Sequence, residues 1–139
     1  GVVPPDLSLT ARSRGADWIY TYLRHFYLDG STATGWNNSL FPNVAMPHVL
    51  YRWQGYRSAT FKGDGVADIS SVQYQNLAPG TLSSADYDSA IRDLTNFMVY
   101  LAEPAKLVRY RIGIWVMMFM VVFIMLTYLL KKEYWRDVH

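Results

Sequence analysis

A chain of 139 residues, 51% hydrophobic and carrying a net charge of +2, has room for one domain and one further apolar segment. It shows no basic stripe with interleaved aromatics, which argues against nucleic acid as a partner. It has no cysteine, which excludes a disulfide framework, a thiolate zinc site and any Cys-x-x-Cys-His motif.

The opening GVVPPDLSLTARSRG carries no charged and apolar leader ahead of Val2, so either a leader has been removed or this is the later part of something longer. Pro4 and Pro5 make a rigid turn, after which Asp6 or Ser8 is placed to cap a helix that Gly15 interrupts. From Asp17 the run DWIYTYLRHFYL resumes at helical spacing, with Trp18, Tyr22 and Phe26 four apart and Ile19 and Leu23 beside them. This predicts a short amphipathic helix with a broad aromatic face, ending before Asp29 and Gly30.

The next stretch, STATGWNNSLFPNVAMPHVLY, is punctuated by Gly35, Asn37, Asn38, Pro42, Asn43 and Pro47 too often for a regular element. It reads as a long loop held in place, because Trp36, Leu40, Phe41, Val44 and Met46 are too apolar for a solvated one. Residues 51–80 read as a separate excursion, with β-favouring runs on either side of a hairpin turn at Gly63, Asp64 and Gly65. In LSSADYDSAIRDLTNFMVYLAEP, Ser83 or Ser84 can serve as N-cap, and Asp86 and Asp88 suit the positive end of the helix dipole. Tyr87, Ile91, Leu94, Phe97, Met98 and Leu101 are expected on one face, until Pro104 ends or kinks the helix.

Residues 112–130, IGIWVMMFMVVFIMLTYLL, contain no charge, and as a helix they measure roughly 28 Å, about the hydrocarbon thickness of a bilayer. Lys106, Arg109, Tyr110 and Arg111 precede the run, while Tyr128, Lys131, Lys132, Tyr134, Trp135 and Arg136 lie at or beyond its end, as suits a headgroup layer. A span over 109–131 follows, with a short tail at 132–139. Domain-sized segments cross membranes largely regardless of charge, whereas short tails obey it, so residues 1–108 are expected outside and the tail inside.

The chemistry available is narrow. His25, His48 and His139 stand apart, and there is no His-Glu-x-x-His, Gly-x-Ser-x-Gly or phosphate-cradling glycine loop. His48 is expected on the loop surface and His25 packed or half-exposed in its helix. Met46, directly before the stiffening Pro47, either presents a thioether from a fixed point or fills core space. Arg12, Arg14 and Arg24 are either solvated or available to a carboxylate through a planar fork.

Taken together, PPDLS with Arg14 shortly after, ADWIYTYL, FPNVAMP, AEP ahead of the apolar run and LLKKEYWRDVH behind it resemble, in order and spacing, the C-terminal portion of the cytochrome c1 family. That family supplies the membrane-anchored cytochrome of the ubiquinol:cytochrome c oxidoreductase, respiratory complex III, and the wording FPNVAMPHVL looks bacterial. The resemblance implies a mainly α fold, namely part of a class I cytochrome c-like haem domain followed by one C-terminal transmembrane helix. It implies Met46 as an axial ligand of haem c, Arg14 at a haem propionate, and Pro4, Pro5, Trp18, Leu23, Phe41 and Val44 lining the pocket. It further implies cytochrome b beside the span, electrons taken from the Rieske iron-sulfur protein and passed to cytochrome c, and a bacterial inner membrane with the main domain in the periplasm and the C-terminus in the cytoplasm. The family's Cys-x-x-Cys-His and fifth ligand are not among these residues. The chain is therefore expected to be completed by a missing N-terminal part of the same cytochrome or by a separate chain. The alternative is a haem-free, single-span accessory or assembly subunit of a respiratory complex.

Overall fold

A computed structural model describes residues 3–61 and 72–137, about half of them helical. The elements are α1 (Thr10–Arg14), α2 (Ala16–Arg24), β1 (Phe26–Leu28), β2 (Trp36–Asn38), α3 (Tyr51–Gln54), β3 (Gly55–Phe61), β4 (Val72–Pro79), α4 (Ser84–Ala102) and α5 (Lys106–Tyr134). The chain divides into two compact units, Gly1–Ala102 and Glu103–His139.

In the first unit, Gly15 separates α1 from α2 at φ +90°, a conformation that a side chain would strain. Asp6 does not cap α1. Its carboxylate instead accepts bonds from the Ser8 amide and hydroxyl, and α1 begins at Thr10 without a side-chain cap. The core forms where α1 and α2 meet α4: Ala11, Ile19, Leu23, Tyr87, Ile91 and Ala102 are buried, with Ile91 0% exposed.

α4 starts as its sequence suggests. The Ser83 hydroxyl accepts the Asp86 amide at 3.2 Å and donates to the Asp86 carboxylate at 2.7 Å. Its apolar face is narrower than expected, however. Phe97 and Leu101 are 55% and 42% exposed, whereas Thr95 is buried, its hydroxyl satisfied by Ile91 O at 2.8 Å.

The helix expected to reach Leu28 stops at Arg24, and Phe26, Tyr27 and Leu28 pair antiparallel with Asn38, Asn37 and Trp36. This buries the end of α2, whose last carbonyls then need partners. Side chains supply them. His25 Nδ1 lies 2.6 Å from Thr21 O, Asn38 Nδ2 donates to Tyr22 O at 2.7 Å, and the Tyr87 hydroxyl donates to Leu23 O at 3.1 Å. Arg24 O accepts from Arg57 and from Gln54 Nε2.

β3 and β4 form a second antiparallel pair running from Gly55 opposite Pro79 to Phe61 opposite Val72, with a register shift between Tyr56 and Arg57. The Gly63, Asp64 and Gly65 turn lies outside the described residues. At the neck of this ribbon the backbones almost touch: a Cβ on Gly80 would sit 2.1 Å from Trp53 O, and one on Gly55 would sit 2.3 Å from Ala78 O.

The second unit is α5, 29 residues long and apolar enough by length and composition to cross a membrane. Thr127, a polar hydroxyl near the C-terminal end of its apolar run, donates to Phe123 O and Ile124 O, so it needs no water. Ion pairs sit at both ends, Arg109 with Glu103 at 3.0 Å and Arg136 with Glu133 at 2.9 Å.

Candidate functional site

Four of the eight pocket residues expected from sequence come together on one half-exposed face of the first unit. Trp18 stacks on Tyr22 with ring centres 4.9 Å apart and planes 9° apart, because the two stand one turn apart on α2. Phe41 meets the Trp18 ring edge-on at 6.5 Å, and the Arg14 guanidinium lies 5.2 Å from the Trp18 ring centre. Met46 joins them through Tyr22, whose hydroxyl donates to its Sδ at 3.5 Å. A thioether, flat aromatic rings and a guanidinium thus share one surface.

The other four are placed differently. Leu23 belongs to the packed core with Ile19, Tyr87 and Ile91. Val44 is buried on the Met46 loop, and Pro4 and Pro5 are exposed.

Backbone hydrogen bonds show what holds the Met46 loop. Asn38, fully buried, accepts the amides of Leu40 and Phe41 on its Oδ1 at 2.9 and 3.2 Å. Asn37 accepts the Asn38 and Asn43 amides on its Oδ1, both at 2.9 Å, while its Nδ2 donates to Asp29 at 2.8 Å. Asn43 is left at φ +60°, a conformation asparagine tolerates. The two asparagines, read from sequence as turn punctuation, form the scaffold of the loop. Their adjacency inside an otherwise apolar stretch was the available signal.

His48 overturns an expectation. It is 2% exposed rather than on the surface, stacked on Phe26 with ring centres 5.0 Å apart and planes 4° apart, and met edge-on by Trp36 at 5.1 Å. Phe26 in turn meets the Tyr22 ring at 5.1 Å, so the rings run continuously from His48 to the tyrosine that touches Met46. Burial drives the His48 pKa down to about 4, against the raising effect of Gln54, and keeps the imidazole neutral near pH 7. Among the described residues, neither His48 Nε2 nor Gln54 Oε1, both buried, has a hydrogen-bond partner of normal geometry. Tyr22 is affected oppositely: burial raises its pKa to about 12, so the hydroxyl stays protonated and remains a donor to Met46.

Away from that face, a concavity of about 390 Å³ opens between the end of α2, the ribbon and the start of α4. Arg57 projects into it from β3, bonded to Phe26 O at 2.6 Å and to Arg24 O, and stacked 4.0 Å over Tyr74. Arg24 pairs with Asp88 at 2.8 Å beside it. Arg57 is thus taken up by the Arg24 and Phe26 carbonyls and Arg24 by Asp88, and among the described residues no group of three His, Asp or Glu side chains could hold a metal ion.

Comparison with known proteins gives a consistent picture. The profile described as the Cytochrome C1 family matches residues 1–138. The whole chain is 52% identical to a protein named ammonia monooxygenase gamma subunit of Nitrosomonas europaea, covering 56% of it. The whole chain is also 49% identical to cytochrome c1 of Allochromatium vinosum, covering 58% of that protein. A more distant relative, the mitochondrial cytochrome c1 heme protein of Neurospora crassa, is 29% identical over 97% of the chain and is itself covered to 37%. The chain therefore spans little more than half of the first two relatives and less of the third.

Proposed function

The chain belongs to the cytochrome c1 family, and on that premise we propose that it forms one wall of a haem c pocket in the electron-transfer subunit of a ubiquinol:cytochrome c oxidoreductase. Haem c, when bound, supplies a one-electron iron couple. The observation that carries the reading is part-buried Met46, its sulfur fixed by Tyr22 beside the Trp18 and Phe41 rings. The donor set fits the group. A thioether has two lone pairs, of which Tyr22 uses one, and a soft sulfur donor favours the reduced state and raises the potential. The Trp18 and Tyr22 rings are stacked nearly parallel with Phe41 edge-on to Trp18, an apolar surface that suits a flat macrocycle, and the Arg14 fork suits a carboxylate at its edge.

The remaining parts must come from elsewhere. The chain has no cysteine, so covalent attachment, and in this reading the histidine ligand that the family carries in its Cys-x-x-Cys-His motif, fall to a longer form of the polypeptide or to a separate chain. In this reading residues 1–108 form the C-terminal portion of a class I cytochrome c-like domain in the periplasm, 109–131 cross the bacterial inner membrane beside cytochrome b, and 132–139 lie in the cytoplasm. Electrons arrive from the Rieske iron-sulfur protein and leave to cytochrome c. No acid-base residue is needed, because this chain's work is to hold a ligand, exclude water and set a potential.

A reduced-minus-oxidised spectrum of the purified membrane assembly, with the intact mass of this polypeptide, tests the proposal. A c-type band is expected. A band with a heavier polypeptide marks a longer cytochrome, and a band with this mass marks a split one. A second reading, a haem-free single-span accessory subunit, draws on the absence of cysteine and on the monooxygenase name of the 52% identical relative. It predicts no haem band from an assembly in which the chain is present.

A further inference from the structure

His48 lies deeper in the first unit than its loop position suggests, and two buried polar atoms, its Nε2 and Gln54 Oε1, are without a bond of normal geometry among the described residues. Leaving such a pair unmade costs more than a typical hydrogen bond contributes, because each atom has lost its water. The two are chemically complementary. Gln54 Nε2 is directed to Arg24 O at 3.4 Å, which assigns its Oε1 as the acceptor. A neutral imidazole protonated at Nε2 supplies the matching donor.

We propose that His48 is a positioning residue for Met46: its Nε2–H donates to Gln54 Oε1, and its stack on Phe26 pins the segment that carries the sulfur. This rests on the haem reading above. The coupling is short and stiff. Only Pro47 separates the two residues, two residues of chain reach at most about 7 Å, and the proline ring removes one of the few free torsions between them. On the far side, the His48 carbonyl accepts the Tyr51 amide at 3.3 Å and leads into α3, which carries Gln54. The sulfur is thereby held twice, through Tyr22 directly and through His48 along the backbone. The loop is then set for ligation before any haem arrives, and the ordering cost of ligand binding falls accordingly.

The test is a ligand competition on the assembled cytochrome, comparing the parent with His48→Phe, which keeps the stack but loses the N–H, and with Gln54→Leu. Added imidazole competes with Met46 in the ferric protein and is followed by loss of the weak far-red band of thioether-ligated ferric haem. Loss of one buried hydrogen bond is expected to let imidazole bind about fivefold more tightly in each variant. Amide exchange across 44–49 should rise in both. A parent showing the band, with unchanged imidazole affinity in both variants, overturns this inference alone. A parent without the band overturns the haem reading and this inference with it. His48→Ala, which also loses the stack, should exceed both variants, and an effect no larger than that of His48→Phe would remove the stack from the proposal.

Discussion

Replacing Tyr22 with Phe removes a single oxygen from the site and leaves nearly everything else in place. The ring still stacks on Trp18 and still meets Phe26 edge-on, so the aromatic wall survives. What is lost is the bond from the hydroxyl to Met46 Sδ, 3.5 Å long and made by a group that burial keeps protonated at any pH below about 12. A donor to the sulfur draws electron density away from it, which disfavours the electron-poor ferric state more than the ferrous one. Its removal should therefore lower the midpoint potential. A net hydrogen bond contributes about 1 kcal/mol. If half to all of that differs between the oxidation states, the shift is about 20–40 mV, since a tenfold change in a one-electron equilibrium is about 59 mV. Redox titration of the assembled cytochrome, followed in its visible bands, measures this directly. A potential that stays put or rises in Tyr22→Phe, while the far-red thioether band persists, refutes the role given to this bond.

Met46→Leu should produce a much larger fall in the same titration, a sizeable part of the roughly 0.8 V over which axial ligands set haem potentials. Ile91→Ala empties a fully buried position between α2 and α4 and should cost about 2–5 kcal/mol in urea unfolding of the assembled cytochrome's external domain, without shifting the potential of the folded fraction. His25 is held below the ordinary histidine pKa, first by burial and then by Arg57 and Arg24, against the bond to Thr21 O. The unfolded chain then binds the proton more readily than the folded one. Stability from this residue is full above about pH 6.5 and declines as pH falls toward the folded value, and His25→Gln should flatten that acid limb of a stability-versus-pH profile.

The parts of the molecule governed by local periodicity were legible in the sequence. An uncharged run of membrane length could only be α5, and a serine ahead of paired aspartates marked the start of α4. The Trp18, Tyr22 and Phe26 spacing correctly identified an aromatic face, but it carried the helix one turn too far, because nothing local distinguishes FYL as helix from FYL as strand. Its state is decided by pairing with Trp36, Asn37 and Asn38, which is long-range. The same limit explains Phe97 and Leu101: the 3.6 period states which residues share a face but not where the neighbouring helices end. His48 was misplaced because prolines and asparagines around it read as surface, while its burial depends on Phe26 and Trp36 arriving from the small sheet. Of the residues expected at the site, Met46, Arg14, Trp18 and Phe41 lie together on one face. Tyr22, Asn37 and Asn38, which hold Met46 and its loop, act through contacts that no spacing rule reveals.

The glycine neck beneath the β3–β4 ribbon separates two kinds of tolerance. Thr81 and Leu82 donate their amides to Arg52 O and Trp53 O at 2.9 and 3.2 Å, so the chain leaves and re-enters the body at one fixed point, beyond which Arg57, Phe61 and Tyr74 still reach Phe26, Tyr27, His25 and Ser39. Lengthening or shortening either strand between the neck and Phe61 would cost those contacts one by one. A single methyl group at Gly80, by contrast, would force the closure open.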